Sequence, residues 1–144
     1  MPFRPALLFA TVLGIIMDEK VNILLVEAPG RWRDSLLVLL GASPIVGEVQ
    51  VWDGEETAVC PPTPPPAILL LDANTPNAGA IWRQWQRRSA SACCCALVHS
   101  SAQEQAAQQH GIQAILRAGF TAPALFATLN QLLWRSKQQS TGQK

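Results

Sequence analysis

Apolar and polar positions fall in alternating blocks along this chain. Val21–Val26 (VNILLV) is a short apolar run that ends at Glu27 and is broken by Ala28-Pro29-Gly30, the pattern of a buried strand followed by a loop. Trp32, Leu36, Leu39 and Leu40 come next. Their i, i+4, i+7, i+8 spacing is the stripe of an amphipathic helix, and Gly41 is a natural stop. A second, short strand lies within Ile45–Trp52, centred on Glu48–Trp52. Asp53 and Glu56 have capping-box spacing and predict a brief helix. Pro61, Pro62, Pro64, Pro65 and Pro66 then make a stiff, extended connection.

Ala67–Leu71 (AILLL) is apolar on both faces, as a central parallel strand should be. It ends at Asp72 and the loop Ala73-Asn74-Thr75-Pro76-Asn77. Ile81, Trp82 and Trp85 predict a helix running to about Arg88, and Ala92–Val98 a fourth strand. Ser101-x-x-Glu104 opens a Gln/Ala-rich helix that stops at Gly111. Ile112–Leu116 reads as a fifth strand. Thr121-Ala-Pro starts a last helix with the stripe Leu125, Leu129, Leu132 and Leu133, and Arg135–Lys144 reads as a polar, frayed tail. Strand and helix thus alternate five times, which predicts an α/β fold with a parallel sheet covered on both faces. Ligands in such sheets gather at the carboxyl ends of the strands. That rule selects Glu27, Trp52-Asp53, Asp72, His99-Ser100 and Arg117-Ala118.

The chain ends are set apart from this pattern. Ala6–Met17 is apolar but short of the ~20 residues that a membrane-spanning helix needs. We read residues 1–17 as an extension outside the core, with Met17 as an alternative start; a signal peptide or membrane anchor stays open. The domain then covers residues 18–136, with residues 137–144 as the tail. Hydrophobic residues make up 49% of the chain and charged ones 15%, enough apolar material for a core and unlike a disordered chain. The net charge of +1 argues against nucleic-acid binding by bulk charge; Arg83, Arg87 and Arg88 read as a solvated face. Cys60 and the run Cys93-Cys94-Cys95 have no partner set for a zinc site. They read as small buried residues in a reducing cytoplasm.

Three segments carry a resemblance. Val46-Gly-Glu-Val-Gln-Val-Trp-Asp-Gly-Glu-Glu-Thr-Ala is similar to the second strand and helix of response-regulator receiver domains. Pro66-Ala-Ile-Leu-Leu-Leu-Asp72-Ala-Asn-Thr-Pro76 resembles their third strand, phosphoacceptor and D-x-x-x-P loop. Gly111-Ile-Gln-Ala-Ile-Leu-Arg-Ala-Gly-Phe-Thr resembles their fifth strand and turn. The resemblance covers roughly residues 20–134. It implies the doubly wound, flavodoxin-like receiver fold with strand order 2-1-3-4-5. It also implies a carboxylate that accepts a phosphoryl group beside Mg²⁺ held by acidic side chains and a backbone carbonyl. Asp72 matches the phosphoacceptor, Glu27 the first member of the acidic pair, and Asn74 the carbonyl ligand. Ser100 matches the hydroxyl that contacts phosphoryl oxygens, or His99 if the register shifts by one.

The departures from the family pattern are specific. Ala28 stands where the second acid would be, Ala118 where a lysine would be, and Ile115 where an aromatic switch residue often sits. Arg117 is one residue from the lysine position, and a one-residue shift turns a strand side chain to the other face. Mg²⁺ is therefore expected to bind weakly or not at all. The function implied is that of a stand-alone, non-enzymatic receiver-like domain. It would meet a sensor histidine kinase or phosphotransfer protein and an output protein, with no nucleic acid or membrane; a homodimer stays open. Two alternatives stay open too: an adaptor that has lost the phosphoryl chemistry, and a small α/β enzyme. The enzyme reading lacks a glycine-rich phosphate loop and a nucleophile elbow.

Overall fold

The three most continuously apolar runs take the middle of the sheet. In the computed structural model, residues 20–54, 61–88 and 92–142 are described, side chains only as far as residue 138. Strands β1 (Val21–Val26), β3 (Ala67–Asp72) and β4 (Cys93–Val98) are central, with β2 (Val46–Trp52) and β5 (Ala114–Arg117) at the edges. All pairings are parallel and the order is β2-β1-β3-β4-β5, as expected. Helices covering both faces explain why the central strands are apolar on both sides, apart from Asn22 near the start of β1 and Asp72 at the end of β3. The edge strand β2 buries only Val46, and the rest of it is half-buried or exposed.

Helices α1 (Arg31–Gly41) and α4 (Ala122–Gly142) lie over one face. Leu36 and Leu40 of α1 and Leu125, Leu129, Leu132 and Leu133 of α4 pack there against Ile23, Leu25, Ile68, Leu70, Cys95 and Leu97. Helix α2 (Ala78–Gln86) covers the other face with Ile81, Trp82 and Trp85, against Leu24, Val26, Leu69, Leu71 and Cys94. Helix α3 (Ser101–Gln109) reaches that face only through Ala107, beside Ala96 and Val98. Side chains alternate across each strand, so Cys93 and Cys95 join one core and Cys94 the other. All three are buried thiols that form no disulfide. Burial raises the pKa of each, that of Cys95 to about 12, so they act as small apolar filling.

Three boundaries differ from expectation. Helix α4 continues to Gly142, through the stretch that reads as a tail; Lys and Gln there are good helix formers and no proline intervenes. Strand β5 starts at Ala114 rather than Ile112, because the Ile112 N–H closes the end of α3 on the Ala107 carbonyl at 3.1 Å. Helix α2 starts at Ala78 and ends at Gln86. The short helix expected after β2, Cys60 and the extension before Lys20 fall outside the described residues. Among the described residues, no helix is long and apolar enough to cross a membrane.

Candidate functional site

Register and alternation build the site. Val26 pairs with Leu71 between β1 and β3, so Glu27 emerges beside Asp72. Asp72 in turn pairs with Leu97 of β4. Glu27 continues the alternation of Ile23 and Leu25, Asp72 that of Ile68 and Leu70, and His99 that of Cys95 and Leu97. All three therefore leave the sheet on the α1/α4 side.

Asp72 is 3% exposed, and Glu27, at 6%, is almost as deeply buried. The Asp72 Oδ1 accepts from the Asn74 backbone N–H at 2.8 Å, and His99 Nε2 lies 3.0 Å from the same oxygen. Burial, and then the neighbouring Asp72 carboxylate, push the Glu27 pKa from 4.5 up to about 8. The Ala28 backbone and the Trp32 indole pull it down less. The indole N–H of Trp32 acts from nearby without a hydrogen bond of normal geometry, and Glu27 Oε2 is likewise unpaired. At neutral pH Glu27 is thus mostly protonated beside Asp72, because two adjacent buried carboxylates resist double ionisation.

The other expected residues sort plainly. Asn74 adjoins Asp72: its backbone N–H bonds Asp72 Oδ1, and its side-chain Oδ1 accepts from Gln103 Nε2 at 2.6 Å. Ser100 is elsewhere; it caps α3, its Oγ accepting from the Gln103 N–H at 3.2 Å. His99 is the residue that β4 brings to Asp72. Counting alternate positions from the buried Cys95 and Leu97 would have found it, and that signal is in the sequence. Arg117 turns away to Glu104, 3.3 Å, and Ser101 Oγ, 2.7 Å. Ala118 contributes only its backbone, its N–H bonding the Val98 carbonyl at 2.8 Å. Gly54 seats the β2 loop against the β3 loop: its φ is +81°, and a Cβ there would stand 2.7 Å from Thr75 Cγ2.

These groups do not fit Mg²⁺ as they stand. A hard cation needs several oxygen ligands. Here Glu27 holds a proton, Asp72 Oδ1 already has two partners, and Ala28 offers no side-chain oxygen. Among the described residues no group of three or more His, Cys, Asp and Glu side chains could hold a metal.

No protein-family profile matches the sequence, and no curated protein matches it. Solved structures do. A response regulator receiver protein from Pseudoalteromonas atlantica aligns over 78% of this chain and 96% of its own, with TM-score 0.65 and 17% identity. A response regulator receiver domain protein from Clostridium thermocellum aligns over 83% and 98%, also with TM-score 0.65 and 17% identity. The chain has the receiver fold. A Rhodopirellula baltica protein described as an adenylate cyclase shares it, with TM-score 0.70 and 16% identity over 85% of this chain and 93% of that one. At these identities the likeness is one of fold. On the receiver fold, the carboxyl ends of β1, β3 and β4 carry the cluster of Glu27, Asp72 and His99.

Proposed function

We propose that this chain is a receiver-like signalling module of a two-component pathway. It works in the cytoplasm by binding a protein partner, with Asp72 as candidate phosphoacceptor. The observation that carries this reading is the position of Asp72: a buried carboxylate at the end of the central strand of a receiver fold, with Glu27 beside it. A sensor kinase or phosphotransfer protein would supply the phosphoryl group, and Mg²⁺, if used, would be held weakly. The module is non-enzymatic on this reading, and a protein partner or a second copy receives its signal.

Partner binding should depend little on phosphorylation. Ala118 and Ile115 leave β5 without a charged or aromatic side chain to relay a change at Asp72, and Arg117 is engaged with α3. Capture of the output partner by wild type, Asp72→Ala and Asp72→Glu should therefore be similar. A large loss in Asp72→Ala, with phosphodonor enhancing capture by wild type alone, would restore an ordinary phosphorylation switch. Ala28 and Ala118 also favour a second reading, an adaptor that kept the fold without phosphoryl chemistry. A base-labile, acid-stable mass increase on Asp72 after treatment with a small phosphodonor excludes that reading.

A further inference from the structure

We propose that the His99 imidazole is a plug on Asp72, closing the carboxylate to both a divalent cation and a phosphoryl donor. The inference rests on reading Asp72 as the candidate phosphoacceptor and names how that site is regulated.

The geometry is specific. His99 Nε2 stands 3.0 Å from Asp72 Oδ1, and the imidazole side chain is 31% exposed where the carboxylate is 4%. The ring is the outer partner, so it covers the carboxylate on its water side. The Asn74 N–H fills a second position on the same oxygen at 2.8 Å. The plug is also latched. The His99 backbone N–H donates to Gln103 Oε1 at 2.7 Å, and Gln103 Nε2 donates to Asn74 Oδ1 at 2.6 Å. One glutamine thus ties the loop after β4 to the loop after β3. Ser100 adds its cap on the Gln103 N–H. Gln103 belongs to α3, whose only buried residue is Ala107. A helix so lightly packed opens at low free-energy cost, and its displacement would carry Gln103 away and release the ring.

Opening the plug matters for one step. A carboxylate oxygen of Asp72 forms a bond to phosphorus, the bond from phosphorus to the donor's acyl oxygen breaks, and acetate leaves with the electron pair. A ring hydrogen-bonded to that carboxylate stands in the donor's approach and withdraws its lone-pair density.

The test compares wild type, His99→Thr and Gln103→Ala, with Asp72→Asn as the control that cannot be phosphorylated on oxygen. Two readouts are taken: Mg²⁺ binding from intrinsic Trp fluorescence, and intact mass during incubation with Mg²⁺ and acetyl phosphate. His99→Thr should bind Mg²⁺ and gain the phosphoryl group at least about tenfold better than wild type, the scale of one charge-assisted hydrogen bond released. Gln103→Ala should shift both readouts the same way by less; it also decides the matter if His99→Thr does not fold. Wild type labelled as fast as both variants overturns the plug and keeps Asp72 as phosphoacceptor. Labelling in none, with tighter Mg²⁺ binding in His99→Thr, upholds the plug and removes the phosphoacceptor reading. Unchanged Mg²⁺ affinity and unlabelled protein throughout overturn both.

Discussion

Helices α2 and α3 have the same length, nine residues, and cover the same face of the sheet, yet they are held in opposite ways. Helix α2 buries Ile81, Trp82 and Trp85, and both indole N–H groups find carbonyls: Trp82 on His110 at 3.0 Å and Trp85 on Cys93 at 2.9 Å. Helix α3 buries one alanine. The Trp82 bond ends on His110, the C-cap of α3, so the carboxyl end of α3 is pinned by its neighbour. Its amino end has only a serine cap, the Gln103 bridge and exposed polar contacts of Arg117. A crevice of about 100 Å³, lined by small residues such as Ala73, Ala78, Gly79, Ala96 and Ala106, separates the two helices. Large apolar anchors therefore make one helix a fixed wall, while small residues leave the other free at its amino end, where His99 meets Asp72.

Removing an anchor should break this comparison most strongly. Trp82→Ala deletes a side chain that is 1% exposed and also frees the end of α3. Denaturant unfolding should show a loss of about 3–5 kcal/mol, the usual cost of emptying a large buried site. A loss under about 1 kcal/mol, the size of a surface effect, would mean that α2 is not the wall described.

The next effect is a pH dependence confined to the site end. Glu27 titrates at about 8 in the folded chain against 4.5 ordinarily. Between those values the folded chain keeps a proton that the unfolded chain has lost, so stability falls as pH rises. The contribution is whole below 4.5 and is lost as pH passes about 8. The slope can reach ~1.4 kcal/mol per pH unit. Glu27→Gln should flatten it while leaving the tryptophan-anchored helix intact; the same slope in both proteins would count against a proton held on Glu27.

A smaller change sharpens the contrast between the helices. Ala107→Gly should cost about 1 kcal/mol, by helix propensity and the loss of one buried methyl, and hydrogen exchange should show α3 amides opening well before those of α2. Protection of α3 equal to that of α2 would refute the loose-helix description. Smallest of all, Arg117→Ala removes an exposed pair with Glu104 and should change stability by roughly 0–1 kcal/mol. A larger loss would show that the amino end of α3 is held by charge after all.

Much of this contrast is legible in the order of residues alone. The runs VNILLV, AILLL and CCCALV are apolar on both faces, and central parallel strands have to be so. The weakness of α3 follows from its Ala and Gln composition, and the strength of α2 from two tryptophans at helical spacing. The same local pattern puts Glu27, Asp72 and Asn74 at strand ends, and the fold brings them together. His99, not Ser100, stands at Asp72, and composition does not separate the two: both follow an apolar run, and only one has the parity of Leu97.

The elements, their alternation and the carboxylates at the strand ends are thus written in the chain itself, because hydrophobic periodicity is a property of neighbours along it. Which of those ends touch is a matter of folding in three dimensions. Asp72 and His99 are 27 residues apart, and their contact depends on the register in which β3 and β4 hydrogen-bond. The proton on Glu27 is likewise tertiary. It exists because packing removes water from two carboxyls that the sheet sets side by side, and desolvation with like charge raises the cost of ionising both. The hold of Trp82 on the far end of α3 spans 28 residues and arises only once the two helices lie on the same face.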